Sequence, residues 1–437
     1  MTPLGSALVP ATCSFSFFFP SSAQKLPKSS QTHQQLPKIC VAASSGDGQL
    51  LTSDEPAVAE RTSFGLRSLI KTFWVDVERA EGRALNVKLN AAVGMEWEKV
   101  ENVGVRVELS NGCVGWGEVA VPPDVNGSGN QATALVNVKE ACDFLRQTSP
   151  MTLNLVLAEI DRILPGLQFA SVRAGVEMAL IDAIANSIDV PLWRLFGGFS
   201  NSISSAVTIS AISPGKAIEL ASKYRLRGFN TFKLNMGSDI NRDIEVFQAI
   251  KAAHPLCSFI FDANQAYISK QAIDVLDKLH EFGVLPVVFE QPVKRNDWKG
   301  LGEVSRIARN TYGVSVSADE SCQNSNDVEK IIKEKLADVI NIKLSKFGVL
   351  GALEIINLAR KSNLNLMINS MIQTRLATGF AAHMAAGLGC FKYVNLDTPF
   401  LMAEDPVIGG YEVSGGVYKF VNSRGQGGFL NWNLDSC

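Results

Sequence analysis

The chain has 437 residues, of which 46% are hydrophobic, and its 41 Lys and Arg residues nearly balance its 43 Asp and Glu residues. This length and composition can fill the cores of two domains, or of one large barrel with an appended domain. The balanced charge, without a basic stripe interleaved with aromatic residues, argues against a nucleic-acid partner. No apolar run approaches the roughly 20 residues that cross a bilayer, so no membrane partner is expected.

The first 43 residues differ from the rest of the chain. They are rich in Ser, Thr, Gln and Pro, contain no acidic residue, and carry three lysines but no arginine. Such a segment is typical of a chloroplast transit peptide. We therefore expect residues 1–43 to be removed on import into the chloroplast stroma, with cleavage between Cys40 and Ala43. Residues 44–65 are expected to form a polar linker.

Cysteine and histidine usage limits the chemistry of the mature chain. Six cysteines follow residue 43 and none belongs to a C-x-x-C pair, so free thiols are expected. The whole chain has four histidines. This scarcity disfavours His-rich zinc sites and Ser-His-Asp hydrolysis.

Residues 66–200 are predicted to form an α+β domain. Apolar and polar residues alternate over residues 70–121, with turn signals at Asn111-Gly112 and at Gly117, as in antiparallel strands. Helical periodicity follows over residues 132–148 and 172–196.

From residue 201 to about residue 400, short apolar runs alternate with helical stretches. Near-continuous apolar strands that end in a polar residue indicate parallel strands buried on both faces, and eight of them predict a barrel. An open doubly wound sheet is the alternative, but the chain has no G-x-G-x-x-G turn. The predicted strands are residues 205–210, 231–234, 258–262, 284–290, 315–319, 339–343, 364–369 and 393–397.

Four successive predicted strands end in Asp262, Glu290, Asp319 and Lys343. Because adjacent parallel strands bring these side chains to one rim, the three carboxylates would repel one another unless a cation lay between them. An all-oxygen ligand set without nearby His or Cys predicts Mg²⁺, with Mn²⁺ as a substitute. For one carboxylate alone, helix capping or pairing with a lysine is the simpler interpretation; the matched positions of all three favour a metal site.

Lys343 is predicted to act as the catalytic base. A lysine beside a bound cation has its pKa lowered from about 10.4 toward the operating pH. It could then remove the proton alpha to a metal-bound carboxylate, through a metal-stabilised enediolate. By contrast, Lys346 is expected to be an ordinary solvated lysine, and Glu320 is expected to make an outer hydrogen bond rather than bind the metal.

With these residues, residues 69–415 resemble the muconate-lactonising, mandelate racemase-like branch of the enolase superfamily, and within it most closely the dipeptide epimerases of the L-Ala-D/L-Glu type. The resemblance also includes five motifs, at residues 115–118, 171–183, 191–198, 341–346 and 395–399.

The resemblance implies a modified (β/α)₇β TIM-type barrel over residues 201–400 and an amino-terminal α+β capping domain over residues 66–200. It implies that residues 401–437 complete the capping domain. The implied activity is Mg²⁺-dependent epimerisation of a small carboxylate substrate, a dipeptide. The sequence leaves the oligomeric state open, a homo-oligomer included.

The chain departs from this family at the second barrel strand. The family has a K-x-K motif whose second lysine is an acid/base group, whereas this chain has Lys233 followed two residues later by Asn235. The resemblance implies that Lys233 helps to hold the substrate carboxylate. Asn235 cannot exchange a proton at neutral pH, so Lys233 or a bound water would have to deliver the second proton.

A second departure lies at the last strand, where dipeptide epimerases bind the substrate ammonium with D-x-D and this chain has Asn395-Leu-Asp397. Asp397 is implied to pair with the ammonium, and Asn395 to accept a weaker, neutral hydrogen bond. Two alternatives to epimerisation therefore remain. One is a single-base lyase or cycloisomerase acting by β-elimination; the other is a catalytically weakened ligand-binding homologue.

Overall fold

The computed structural model describes residues 64–90, 98–121, 129–210, 213–237 and 239–432. The predicted transit peptide and the predicted linker up to residue 63 lie outside the described residues. Within them, no helix is both long and apolar enough to cross a membrane.

The amino-terminal domain combines a three-stranded antiparallel sheet with helices. The sheet order is β2-β3-β4, and β3 buries Val103, Val105 and Val107 completely because alternate residues of a strand face the same side. The elements are α1 Phe64–Thr72, β1 Trp74–Val75, β2 Val77–Lys88, β3 Lys99–Leu109, β4 Val114–Val119, α2 Gln131–Gln147, β5 Met151–Thr152, α3 Leu153–Ile163, α4 Ala170–Ser187 and α5 Leu192–Leu195.

Two expectations for this domain are wrong. Residues 70–72 end the helix α1 rather than begin a strand. Gly117 lies inside β4 and is not a turn residue. A Cβ at Gly117 would lie 1.9 Å from the carbonyl oxygen of Gly175 in α4, so the glycine there allows the helix to cross the sheet at close range.

The following region is a barrel of eight parallel strands within the described residues, ordered β7 to β14 around the sheet. The backbone N–H of Ala206 donates to the carbonyl of Val394 at 2.8 Å and links the first strand to the last. The strands, preceded by β6 Ser202–Ser204, are β7 Val207–Thr208, β8 Thr231–Asn235, β9 Ser258–Asp262, β10 Val288–Glu290, β11 Ser315–Ala318, β12 Val339–Ile342, β13 Asn365–Asn369 and β14 Tyr393–Asn395.

A helix connects each barrel strand to the next in the described part of the chain, and a short 3₁₀ turn, Thr398–Leu401, follows the last strand. The predicted (β/α)₇β barrel is therefore confirmed. The helices are α6 Pro214–Leu226, α7 Ile240–Ala253, α8 Ser269–Glu281, α9 Trp298–Ile307, α10 Ser325–Glu334, α11 Leu344–Lys361 and α12 Arg375–Leu388.

The interior of the barrel is apolar at its floor and polar above it. The floor is a cluster of inward-facing residues on alternate levels of the strands: Ala206, Ile260, Val288, Val339 and Met367, with Tyr393 against them. Such a layer fills the centre of a barrel and leaves its carboxyl-terminal mouth for function. The outer faces of the strands pack against the helices.

The carboxyl-terminal segment contributes β15 Val407–Gly409, β16 Tyr411–Ser414, β17 Val417–Phe420 and β18 Gly428–Leu430. Strand β17 pairs with β16 on one side and with β6, which precedes the first barrel strand, on the other. Leu430 and Trp432 instead cover the outer face of the capping sheet, where Trp432 lies 5.1 Å from Trp116 between ring centroids. The segment thus divides between the barrel and the cap.

Candidate active site at the mouth of the barrel

Three acidic side chains lie where the sequence predicts them, at the carboxyl ends of neighbouring strands. Asp262 ends β9 and Glu290 ends β10, and the two are direct partners in the parallel ladder. Asp319 follows β11. All three are buried. These residues are called the rim acids below.

Lys233 joins two of the rim acids. Its ammonium lies 2.8 Å from Asp262 Oδ2 and 2.9 Å from Glu290 Oε2. In the parallel ladder Lys233 pairs with Ile260 of the floor. Its Cα therefore lies deeper in the barrel than the Cα atoms of Asp262 and Glu290. The side chain therefore rises from the floor of the barrel into the acidic layer.

Lys343 and Lys346 both bind the third rim acid. Lys343 Nζ lies 2.6 Å from Asp319 Oδ2, and Lys346 Nζ lies 2.7 Å from Oδ1 and 2.6 Å from the carbonyl of the same residue. The expectation of a solvated Lys346 is wrong, since its side chain is 8% exposed. One helical turn separates the two lysines, which directs both ammonium groups toward one carboxylate.

Neutral side chains that the sequence analysis did not single out hold the rim acids in place. Asn341 Nδ2 donates to Glu290 Oε1 at 2.8 Å. The side-chain oxygen of Asn369 faces Lys233 and Asn341, and it accepts from Lys233 Nζ at 3.2 Å and from Asn341 Nδ2 at 2.9 Å. The only available signal was their position at strand ends beside charged residues.

Gln291 fixes the backbone that carries Asp319. It is fully buried, and its Oε1 accepts from the N–H groups of Asp319 and Ser321, each at 3.0 Å. Its φ of 36° places it in the left-handed region, which turns the side chain across the gap between β10 and β11. Gln291 therefore links the end of β10, which carries Glu290, to the segment after β11, which carries Asp319.

The charges of this cluster shift its pKa values in opposite directions. Burial, followed by the charge of Asp262, raises the pKa of Glu290. Burial alone would raise the pKa of Asp319 too, but Lys343 and Lys346 hold it well below its usual range. Burial opposes the charged form of Lys343, yet Asp319 raises its pKa. The lowered pKa predicted for Lys343 concerns the cation-bound site and stays a prediction; the raised pKa is that of Lys343 beside the Asp319 carboxylate alone.

Glu320 lies within the electrostatic influence of two rim acids. Burial, then the charges of Asp319 and Asp262, raise the pKa of its carboxyl group. Its Oε2 is buried and has no hydrogen-bond partner among the described residues. The expected outer hydrogen bond is thus not formed at this oxygen.

The donor set suits a hard divalent cation. Within the described residues no three Asp, Glu, His or Cys side chains stand together as a ready ligand group, because lysine ammonium groups lie between the rim acids. Burial first, and then the charge of Asp262, raise the pKa of Glu290; a divalent cation held by these all-oxygen donors would offset the repulsion between the carboxylates. Asp262, Glu290 and Asp319 are the residues that would hold it.

The remaining predicted residues lie around the same mouth. Asn235 is exposed at the end of β8 and pairs in register with Asp262. Asp397 Oδ2 accepts from the N–H of Thr208 at 2.6 Å, and Asn395 Nδ2 lies 3.5 Å from Thr208 Oγ1. Asn395 Oδ1 is buried without a hydrogen-bond partner in the described part of the chain. It is an acceptor that a substrate N–H could satisfy.

Three further buried acids lie away from the mouth and join the capping domain to the barrel and to the carboxyl-terminal segment. They are called the seam acids: Glu118, Glu177 and Asp182. Glu118 accepts from the N–H and hydroxyl of Thr374, at the start of α12. Glu177 accepts from backbone N–H groups of α11, and Asp182 accepts from the N–H groups of Trp116 and Gln426 at 2.9 and 2.7 Å.

Comparison with known proteins covers both domains. Residues 216–432 match the family described as enolase C-terminal domain-like, and residues 79–197 match the amino-terminal domain of the mandelate racemase and muconate lactonizing enzyme family. A relative from Populus trichocarpa, described as an L-Ala-D/L-amino acid epimerase, is 58% identical over 375 residues, which cover 85% of this chain and 89% of the relative.

Solved structures agree with the sequence matches. A substrate-liganded complex of the L-Ala-D/L-Glu epimerase from Bacillus subtilis has a TM-score of 0.75 at 29% identity and covers 81% of this chain and 99% of that chain. A dipeptide epimerase from Enterococcus faecalis, complexed with Mg and the dipeptide L-Leu-L-Tyr, has a TM-score of 0.72 at 27% identity, with coverage of 81% and 99%.

Proposed function

Because the chain belongs to the mandelate racemase and muconate lactonizing enzyme family of the enolase superfamily, we propose that it is a Mg²⁺-dependent dipeptide epimerase. Its substrate would be an L-Ala-D/L-amino acid dipeptide, and its reaction the inversion of the α-carbon next to the terminal carboxylate. Relatives and structural neighbours that are described as dipeptide epimerases support this choice.

One observation carries the proposal: two lysines face each other across the barrel with the rim acids between them. Lys233 lies on β8 and Lys343 follows β12, and these strands are four positions apart in an eight-stranded barrel. They therefore stand on opposite sides of the mouth. An α-carbon held between them presents one face to each, which is the geometry that inversion requires.

Lys343 is the group that removes the α-proton. Of the two lysines it is the more accessible, with 18% of its side chain exposed against 8% for Lys233. It needs to be uncharged to act as a base, and Asp319 favours its ammonium form. Bound Mg²⁺ would supply positive charge that stabilises a substrate carboxylate and the negative charge that develops when the proton leaves.

Lys233 supplies the proton on the opposite face. Burial opposes its ammonium form, but Asp262 and Glu290 raise its pKa, so Lys233 carries a proton that it can return on this face. Asn235, on the same strand, has no proton to exchange. We assign the return of the proton to Lys233, and the hold on the substrate amino group to Asp397 and Asn395.

The test uses purified protein beginning at residue 44, incubated with L-Ala-L-Glu and Mg²⁺ in D₂O. Proton NMR should show the α-proton of the carboxyl-terminal residue exchanging for deuterium as the second diastereomer appears. Exchange without the second diastereomer would reject epimerisation and leave Lys343 as a working base. Lys233→Met should then separate the two steps, because it should stop inversion while leaving exchange from the Lys343 face.

The exposed Asn235 favours one second candidate, a lyase or cycloisomerase that needs a single base. Such an enzyme would use Lys343 to remove the proton and would eliminate a leaving group from the adjacent carbon. Turnover of a hydroxy acid or lactone, with dipeptides unchanged, would select this reaction. Both reactions predict that Lys343→Ala abolishes turnover.

The location is also a proposal. We infer that residues 1–43 direct the protein to the chloroplast stroma, on the strength of their Ser-rich, acid-free composition. A fluorescent protein fused after residue 65 should accumulate in chloroplasts, and the same fusion without residues 1–43 should not. Equal distribution of both fusions would reject the transit peptide.

A further inference from the structure

We propose that Glu177, on the capping-domain helix α4, is a positioning residue for Lys343, because it anchors a break in α11 directly after the turn that carries the base. That turn, residues 343–346, is called the base turn. The proposal rests on the proposed function for the role of Lys343. The anchor itself is a matter of structure and can be tested without substrate.

The break lies at Gly348, whose φ of 73° and ψ of 174° interrupt the helix. In an unbroken helix the N–H groups of Val349 and Leu350 would donate to carbonyls four residues earlier. The break withdraws those partners. Glu177 replaces them: its Oε2 accepts from Val349 N–H and, at 3.3 Å, from Leu350 N–H.

The space beside Gly348 is shaped to this carboxylate. A Cβ at Gly348 would lie 3.0 Å from Glu177 Oε2, and only glycine adopts the observed φ without strain. The break and its cap therefore form one unit. It consists of a glycine that frees two donors and a buried acid from another domain that receives them.

Charge also favours the contact. A carboxylate at the first residues of a helix is stabilised by the partial positive charge of that end. Burial raises the pKa of Glu177 to about 7, while the two N–H groups and Arg173 on the same helix lower it and Asp161 on α3 raises it. The two donors are fixed by the backbone, so the carboxylate has a rigid partner.

The consequence for the base follows from the two ends of the base turn. At its start, the turn continues from β12, which is held by parallel pairing with β11 and β13. Inside it, Lys346 N–H donates to the carbonyl of Lys343 at 2.9 Å. At its end, only two residues separate Lys346 from Val349. Glu177 thus fixes the far end of the segment from which Lys343 and Lys346 reach Asp319.

Loss of this anchor should reduce the rate rather than substrate affinity. A misplacement on the order of 1 Å in a reacting group can lower a rate about 100-fold. Glu177 bonds to α11 and not to the side chains of the mouth, so contacts that hold the dipeptide should persist. We expect Glu177→Gln to lower kcat for α-proton exchange of L-Ala-L-Glu roughly 10- to 100-fold with KM changed less than about twofold.

Asp182 offers a matched control on the same helix. It is equally buried, also accepts backbone N–H groups, and burial raises its pKa to about 7 as well. Among the described residues it bonds to Trp116 and Gln426 and not to α11. Asp182→Asn should therefore lower the melting temperature as Glu177→Gln does, but leave kcat within about twofold of the wild-type value.

Hydrogen exchange supplies the readout that needs no substrate. Peptides covering residues 343–350 should exchange faster in Glu177→Gln and at the wild-type rate in Asp182→Asn. Gly348→Ala provides a second route to the same anchor, since its methyl group would push against Glu177 Oε2; it should also lower kcat at constant KM.

Two results would overturn the inference. One is a kcat that falls equally in Glu177→Gln and Asp182→Asn, because that pattern reports general destabilisation. The other is unchanged exchange of residues 343–350 in a folded Glu177→Gln protein. If wild-type protein shows no reaction with any dipeptide, the proposed function fails instead, and the exchange comparison still decides whether the anchor exists.

Discussion

The rim acids at the mouth of the barrel and the seam acids between cap and barrel are all buried, yet their surroundings differ. The rim acids are paired with lysine ammonium groups on flexible side chains. The seam acids accept mainly from backbone N–H groups whose positions are fixed by secondary structure. Burial alone therefore does not distinguish a reactive acid from a structural one; the nature of its donors does.

This difference has a physical basis. A buried ion pair costs desolvation that its attraction only partly offsets, and its mobile charges can exchange partners when a cation or substrate arrives. A carboxylate bonded to helix and strand N–H groups has no such exchange open to it, because moving it would leave backbone donors unpaired. The rim acids can therefore bind a cation or substrate, whereas the seam acids hold the domains together.

The largest expected effect comes from removing Lys343, the proposed base beside the rim acids. Lys343→Ala should lower the rate of α-proton exchange about 10²–10⁴-fold, which is the usual contribution of a general base. NMR in D₂O measures the rate. Lys330→Ala is the matched control, because Lys330 pairs with Glu334 on the exposed face of α10. Retained exchange in Lys343→Ala would remove Lys343 from the mechanism.

The next prediction uses the metal to separate the two sets of acids. Saturating Mg²⁺ should stabilise the wild-type protein by about 3 kcal/mol at a concentration near 100 times Kd. Glu290→Gln should abolish this gain, because Glu290 lies at the centre of the rim acids. Glu118→Gln should keep it despite a lower melting temperature. Thermal unfolding with and without Mg²⁺ measures both, and equal gains in the two variants would contradict the assignment.

The parts of the site that could be predicted from sequence are those set by the barrel itself. Parallel strands buried on both faces leave polar residues at their carboxyl ends, so Asp262, Glu290 and Asp319 could be placed together from the order of the strands. Lys343 followed from the same rule. The eight strands themselves were found for this reason, with boundaries that moved by a few residues.

The parts that could not be predicted depend on local backbone geometry. Lys346 is held inward by its bonds to Asp319, and a Gly in a helical pattern, such as Gly348, does not reveal which backbone donors it frees. Gln291 brackets two strands because it adopts a positive φ. The seam acids were noticed as members of motifs. Their role could be recognised only from the contacts between the domains, and the spacing of residues along the chain does not predict those contacts.

The third prediction concerns how the stability contributed by the seam acid Asp182 depends on pH. Asp182 has a usual pKa of 3.8, and burial raises it to about 7 in the folded protein. The folded state therefore binds more protons than the unfolded state between these values, so this residue's contribution to stability falls as the pH rises from about 4 to about 7. Asp182→Asn lacks this dependence. Its stability deficit against the wild-type protein should shrink by about 3 kcal/mol between pH 5 and pH 8.

Denaturant unfolding at the two pH values measures this change. Glu177 titrates in the same range but is present in both proteins, so its contribution cancels. A deficit that stays constant with pH would mean that Asp182 is ionised throughout and that its backbone donors outweigh the cost of burial.

The smallest effects test whether the seam makes one cooperative unit of cap and barrel. Asn130 caps α2 in the cap by accepting from Thr133 N–H at 3.0 Å, and Asn324 caps α10 in the barrel by accepting from Asp327 N–H at 3.1 Å. Each Asn→Ala change should cost about 1 kcal/mol. If the seam acids couple the domains, both variants should shift the same single unfolding transition equally and leave dipeptide turnover unchanged. Two transitions, each sensitive to one variant only, would mean that cap and barrel unfold separately. The seam acids would then not couple the two domains, and the proposed difference between rim and seam acids would hold for the rim acids alone.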